Sequence, residues 1–130
     1  MPAEPERSSE PRASRRLLGA FFLAAGVNHF VNARFYEAIV PPSLAHEKRR
    51  VVQISGIAEL AGGLGVLMAP TRRLAGAGLI ALLAAVFPAN LYMAREPDRF
   101  RSIPRWALYA RLPLQPLMMI WAWRATRRAG

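Results

Sequence analysis

Residues 51–69 read VVQISGIAELAGGLGVLMA. As a helix, this stretch rises roughly 28 Å at ~1.5 Å per residue, close to the roughly 30 Å of a bilayer's hydrocarbon core. It holds one charge, Glu59, near its middle. A carboxylate facing lipid at that depth costs around 2.5–3.5 kcal/mol on insertion scales. The neighbours three and four residues away are Ser55, Gly56, Gly62 and Gly63, all small. Such a face invites another helix, so Glu59 is expected to be buried between helices.

Working outward, three further apolar blocks appear: Leu17–Ala33, Leu74–Ala94, and a weaker one from Pro104 to Trp123. Of the 130 residues, 53% are hydrophobic, and arginine-rich segments separate the four blocks. A soluble domain of this length shows shorter segments with a polar face. The pattern predicts an all-α fold, a four-helix transmembrane bundle with helices at about 15–34, 51–69, 73–94 and 104–124. Residues 1–13, rich in Pro, Glu, Ser and Arg, are expected to form a disordered tail. Residues 14–124 form the membrane domain, and 125–130 a basic C-terminal end. Arg15-Arg16 before an apolar run could suggest an export signal, but no small-residue cleavage site follows. The segment FYEAIVPP (35–42) is expected at the interface, with Tyr36 at headgroup level and the prolines ending it. Trp106 at one end of the last block, and Trp121 and Trp123 at the other, are placed as interfacial aromatics.

The chain lacks cysteine, which excludes disulfides, thiol redox chemistry and thiolate metal sites. Its formal charge is +10, nearly all from arginine spread over every connection. That spread suits the anionic headgroups of a lipid bilayer. A nucleic-acid binder gathers its charge on one groove, so nucleic acid is not an expected partner. Basic residues are nearly balanced between the two sides, with a slight bias that puts both termini in the cytoplasm.

Helices in lipid associate through small residues and buried polar contacts. Pairs four apart, such as Ala58 and Gly62, Ala61 and Gly65, Ala77 and Ala81, and Ala20 and Ala24, are expected to pack the bundle or to form a homodimer face. Pro88, Pro113 and Pro116 lie inside predicted spans and leave the carbonyls of Ala84, Tyr109 and Leu112 without their usual partners. Asn90 or Gln115 could supply the missing donor.

Ordered by depth, His29, Gln53, Glu59, Asn90, Arg111 and Gln115 all fall in one half of the bundle. Two readings compete for this polar cluster. In one it is structural glue, with Glu59 paired to Arg111. In the other it lines a pocket for a headgroup, a quinone or a proton, as intramembrane ionisable groups commonly do. A metal site is not expected, because His29 and His46 are far apart and no carboxylate–histidine spacing repeats.

The segments GVNHF (26–30), FYEAIVPP (35–42), ISGIAELAGGLGVL (54–67), GLIALLAAVFPANLYMA (78–94) and RLPLQ (111–115) together resemble the DoxX-like family of small bacterial membrane proteins. The resemblance implies a four-helix membrane bundle in the bacterial inner membrane and an association with redox biology. It is similar in fold to quinone-dependent disulfide reductases, whose cysteines this chain lacks. No catalytic residue carries over to His29 or Glu59. The chain also offers no nucleophile–base pair and no cofactor motif, so no independent catalytic activity is expected. The expectation is a non-catalytic subunit or scaffold of a membrane redox complex, with quinone as its candidate ligand. The alternative is a small transporter using the polar site around Glu59.

Overall fold

The computed structural model describes residues 6–127. Among them are five α-helices and no strand: α1 (Glu6–Val31), α2 (Ala33–Ala38), α3 (Lys48–Leu67), α4 (Arg72–Arg95) and α5 (Arg105–Arg127). Short 3-10 turns link them at Pro42–Glu47, Ala69–Thr71 and Pro97–Phe100. Each turn has proline in its first two positions, where a missing N–H costs no hydrogen bond. The tight α3–α4 connection also satisfies the end of α3. Thr71 Oγ1 donates to Gly65 O at 2.8 Å and Arg72 Nε donates to Val66 O at 3.1 Å.

Helix α1 begins at Glu6, so it takes in residues 6–13, where the composition suggested a disordered tail. Helix α5 runs to Arg127, into the basic end. Residues 1–5 and 128–130 lie outside the described residues.

The four-span expectation is met only in part. Two segments, Pro42–Leu67 and Ala69–Arg95, are long and apolar enough to cross a membrane. Helix α1 reaches that length but carries Arg12, Arg15 and Arg16 on one side of its apolar stretch and Asn28 and His29 on the other. Helix α5 carries Arg111 and Gln115 inside, with Arg124 and Arg127 in its last turn.

The long helices pack in chain order: α1 against α3, α3 against α4, α4 against α5, and α5 back against α1. Trp121 Nε1 of α5 donates to Ser14 Oγ of α1 at 2.9 Å and closes the ring at the end where the chain begins and finishes. Two apolar clusters fill the interior. One, at that end, joins Leu18, Phe22, Val66, Leu79, Leu83 and Ala122. The other, at the opposite end, joins Ile39, Met93, Phe100 and Leu108. Much of the large apolar surface points outward instead. Leu17 and Val31 on α1, Ile54 and Ile57 on α3, Leu74 on α4 and Leu117 on α5 are all exposed.

Small residues do allow close approach, but with a different spacing from the one expected. Gly19 faces Gly63, and Gly26 faces Gly56 across the same contact. Each pair is seven residues from the next along its own helix. Seven residues drift only ~20° around a helix, so they stay on one neighbour, whereas a run of fours turns away. Ala20, Ala24, Ala61, Ala77 and Ala81 are accordingly exposed.

A Cβ on Gly63 would sit 2.9 Å from both the carbonyl of Gly19 and the amide nitrogen of Leu23, both backbone atoms that cannot swing aside. Gly63→Ala should therefore cost about 1–3 kcal/mol by forcing the helices apart. Gly78 has open space around its Cα, and Gly78→Ala should instead gain about 0.5–1 kcal/mol. Thermal unfolding of the two purified variants beside the parent checks both signs.

Candidate functional site

Between the two apolar clusters lies a cavity of about 380 Å³. Its polar lining comes from every helix: His29 from α1, Tyr36 from α2, Ser55 and Glu59 from α3, Asn90 from α4 and Arg111 from α5. The remaining wall is apolar, with Ile39, Val40 and Pro41 on one side and Val86, Pro88 and Ala89 on the other. The prolines at 41 and 42 stop the chain after α2 and turn it back towards α3, which puts Ile39 and Val40 over the cavity.

His29 and Glu59 form the inner wall, each only 8% exposed. His29 Nδ1 donates to Ala25 O at 2.8 Å, one turn back on α1. The same nitrogen lies 3.2 Å from Glu59 Oε2. Since that nitrogen carries one hydrogen, directed at Ala25, the carboxylate receives charge contact without an aligned hydrogen bond. Glu59 Oε2 is a buried acceptor with no hydrogen-bond partner among the described residues. The contact follows from the glycine pairs: an added Cβ at Gly56 would come 3.0 Å from His29 Cβ.

Tyr36 covers His29. The two rings stack with centroids 3.9 Å apart and planes 18° from parallel. Asn28 Nδ2 donates to the Tyr36 hydroxyl oxygen at 2.6 Å, and Asn32 donates in turn to Asn28. The phenol oxygen is thus held as an acceptor, which leaves its own hydrogen to donate.

The α4–α5 side is held by Gln115, which is buried just behind Asn90. Asn90 Nδ2 donates to Gln115 Oε1, and Gln115 Nε2 donates to the carbonyl of Leu83. The donor expected near the Pro88 break is therefore present, one residue earlier than Ala84. Proline at 88 loosens this turn, and a side-chain amide from the next helix enters it.

Four of the six residues expected to cluster, His29, Glu59, Asn90 and Arg111, line the cavity, and Gln115 supports it from behind. Gln53 does not join them; it is exposed on the outer face of α3. Glu59 pairs with His29 and not with Arg111, whose guanidinium instead lies 3.6 Å from Met93 Sδ. The glycine contacts press α1 on α3, so His29 reaches the carboxylate first. Tyr36 is the residue that sequence reasoning missed as part of the site. Its only local sign was Asn28 eight positions earlier, a spacing that matters only once α2 folds back.

Fold and site together define an all-helical protein with a mostly apolar cavity of ligand size and a few converging polar groups. Residues 18–126 match the family described as Domain of unknown function (DUF8561), and the chain belongs to that family. The DoxX-like resemblance is corrected by this match. The segments that carried it are apolar helices marked by Gly and Pro, a pattern that close helix packing selects in many unrelated chains. No curated protein and no solved structure matches the chain.

Double-mutant cycles separate the two pairings. His29→Ala and Glu59→Gln should show a coupling above ~0.5 kcal/mol, and Glu59→Gln with Arg111→Gln a smaller one. Unfolding free energies of the four variants in each cycle give the comparison. Gln115→Ala should cost about 1–3 kcal/mol, because it strands Asn90 and the Leu83 carbonyl together. Asn90→Ala should cost less, since Gln115 keeps its bond to Leu83; denaturant midpoints of both variants test the order.

Proposed function

We propose that this protein is a membrane-spanning four-helix bundle of the bacterial inner membrane that binds a small ring-bearing amphipath of the quinone and quinol class. The outward-facing Leu, Ile and Val side chains on all four long helices support the membrane setting. Soluble proteins rarely leave so much large apolar surface uncovered, whereas lipid accepts it without cost. The small and polar residues face inward, where backbone and side chains satisfy one another.

One observation carries the ligand reading. Glu59 Oε2 is buried at the wall of the cavity and receives no hydrogen bond. A buried acceptor of this kind costs about 1–3 kcal/mol or more unless something donates to it. A quinol hydroxyl would do so. The carbonyl oxygens of the oxidised ring would accept from Arg111 or the Tyr36 hydroxyl. The apolar wall suits the ring and the start of an isoprenoid tail, and about 380 Å³ falls within the size range of small-molecule sites.

A role as a ligand-holding subunit of a membrane redox system accords with that chemistry. The chain's own residues bind and orient; the electron transfer belongs to the ligand and its partners. The alternative, permeation, requires a path through the bundle. The apolar cluster around Phe22 and Leu79 fills the interior beyond Gln115, which favours a blind pocket over a channel.

The test is to extract the purified protein and identify bound lipids and quinones by mass spectrometry in several detergents. A quinone-class molecule should be enriched over bulk membrane extract. Ser55→Trp, which fills the cavity from α3, should lose it while the protein remains folded. Glu59→Gln should weaken quinol binding by about tenfold or more, as loss of a charged acceptor does. Absence of any enriched ring compound, or its retention in Ser55→Trp, overturns the proposal. Substrate flux in proteoliposomes that collapses with Glu59→Gln would favour permeation instead.

A further inference from the structure

A second cavity, of about 260 Å³, lies at the opposite end of the bundle and is independent of the first. Its described lining is Arg12, Arg15 and Arg16 of α1, Arg72 of α4 and Leu67 of α3. Four guanidinium groups thus share one recess, with no carboxylate among its described lining residues.

Such an arrangement does not follow from helix packing alone. Spacings of three and four put Arg12, Arg15 and Arg16 on neighbouring faces of α1, and the α3–α4 turn brings Arg72 to meet them. Arg72 is fixed there by its Nε donation to Val66 O at 3.1 Å, which leaves its terminal nitrogens for other partners. Arg15 is only 5% exposed, so a cationic side chain is buried among cations. Burial, then repulsion from Arg72, Arg12 and Arg16, holds the Arg15 guanidinium below its usual proton affinity. Repulsion of this kind is relieved by an anion that several guanidinium groups hold at once. Arginine's planar fork suits the tetrahedral oxygens of a phosphoryl group, which takes paired hydrogen bonds.

We propose that this recess binds a phosphoryl group, supplied by an anionic phospholipid headgroup or by a free phosphate. It lies where α1 and α4 begin, at the end that also holds both chain termini. Leu67, exposed beside it, offers apolar contact to the first carbons of a lipid.

The full-length protein in a neutral detergent provides the test, with binding followed by thermal shift and microscale thermophoresis. The probes are dioctanoyl phosphatidic acid, dioctanoyl phosphatidylcholine and inorganic phosphate. Phosphatidic acid should raise the melting temperature and bind saturably, and phosphatidylcholine should not. If inorganic phosphate matches phosphatidic acid, the site reads the phosphoryl group alone. If phosphatidic acid is much stronger, the source is lipid. Arg12→Gln with Arg16→Gln, both exposed and tolerant positions, should lower affinity about tenfold or more. Arg95→Gln with Arg101→Gln removes equal charge at the far end and should leave affinity unchanged. Equal loss in both pairs, or no preference over phosphatidylcholine and chloride, overturns the proposal.

Discussion

Glycine lets the backbones of α1 and α3 touch, and the geometry of the polar site descends from that contact. Gly19 meets Gly63 and Gly26 meets Gly56, with no Cβ atoms to hold the helices apart. One turn beyond the second pair, His29 is left beside Glu59 at 3.2 Å. A wider crossing would leave the carboxylate without a cation in reach and would open the cavity wall. Backbone approach, not charge attraction, sets the pairing here. Buried ion pairs seldom contribute enough on their own to determine how helices dock.

The other half of the ring obeys a different rule. Helices α4 and α5 both contain proline, and a proline in a helix leaves backbone carbonyls underused. Gln115 supplies one such carbonyl, at Leu83, and is itself oriented by Asn90. The α1–α3 contact is thus made by absent side chains, and the α4–α5 contact by a polar bridge. The cavity lies where these two kinds of packing meet. There is too little side-chain volume to fill it and enough polar groups to line it.

The convergence of His29, Glu59, Asn90, Arg111 and Gln115 was legible in the sequence, because depth along a helix follows from counting residues. Counting gives depth and leaves rotation open. Gln53 has the right depth and faces outward. Arg111 has the right depth, yet its guanidinium lies against Met93 and not against Glu59. Tyr36 was assigned to the surface because FYEAIVPP reads as an amphipathic end segment. Only the return of α2 across the bundle stacks it on His29. The family assignment shows the same limit, since Gly- and Pro-marked apolar segments report a packing solution shared by many lineages.

From the chain alone come the all-helical class, the positions of the long helices and the need to bury Glu59. Each depends on local terms: apolar length, small neighbours and the cost of a lone carboxylate in an apolar setting. The partner of Glu59, the seven-residue register of the glycine contacts, the lid formed by α2 and the gathering of four arginines in one recess belong to the tertiary structure. They depend on the rotation and crossing of helices far apart in sequence, which no local preference specifies.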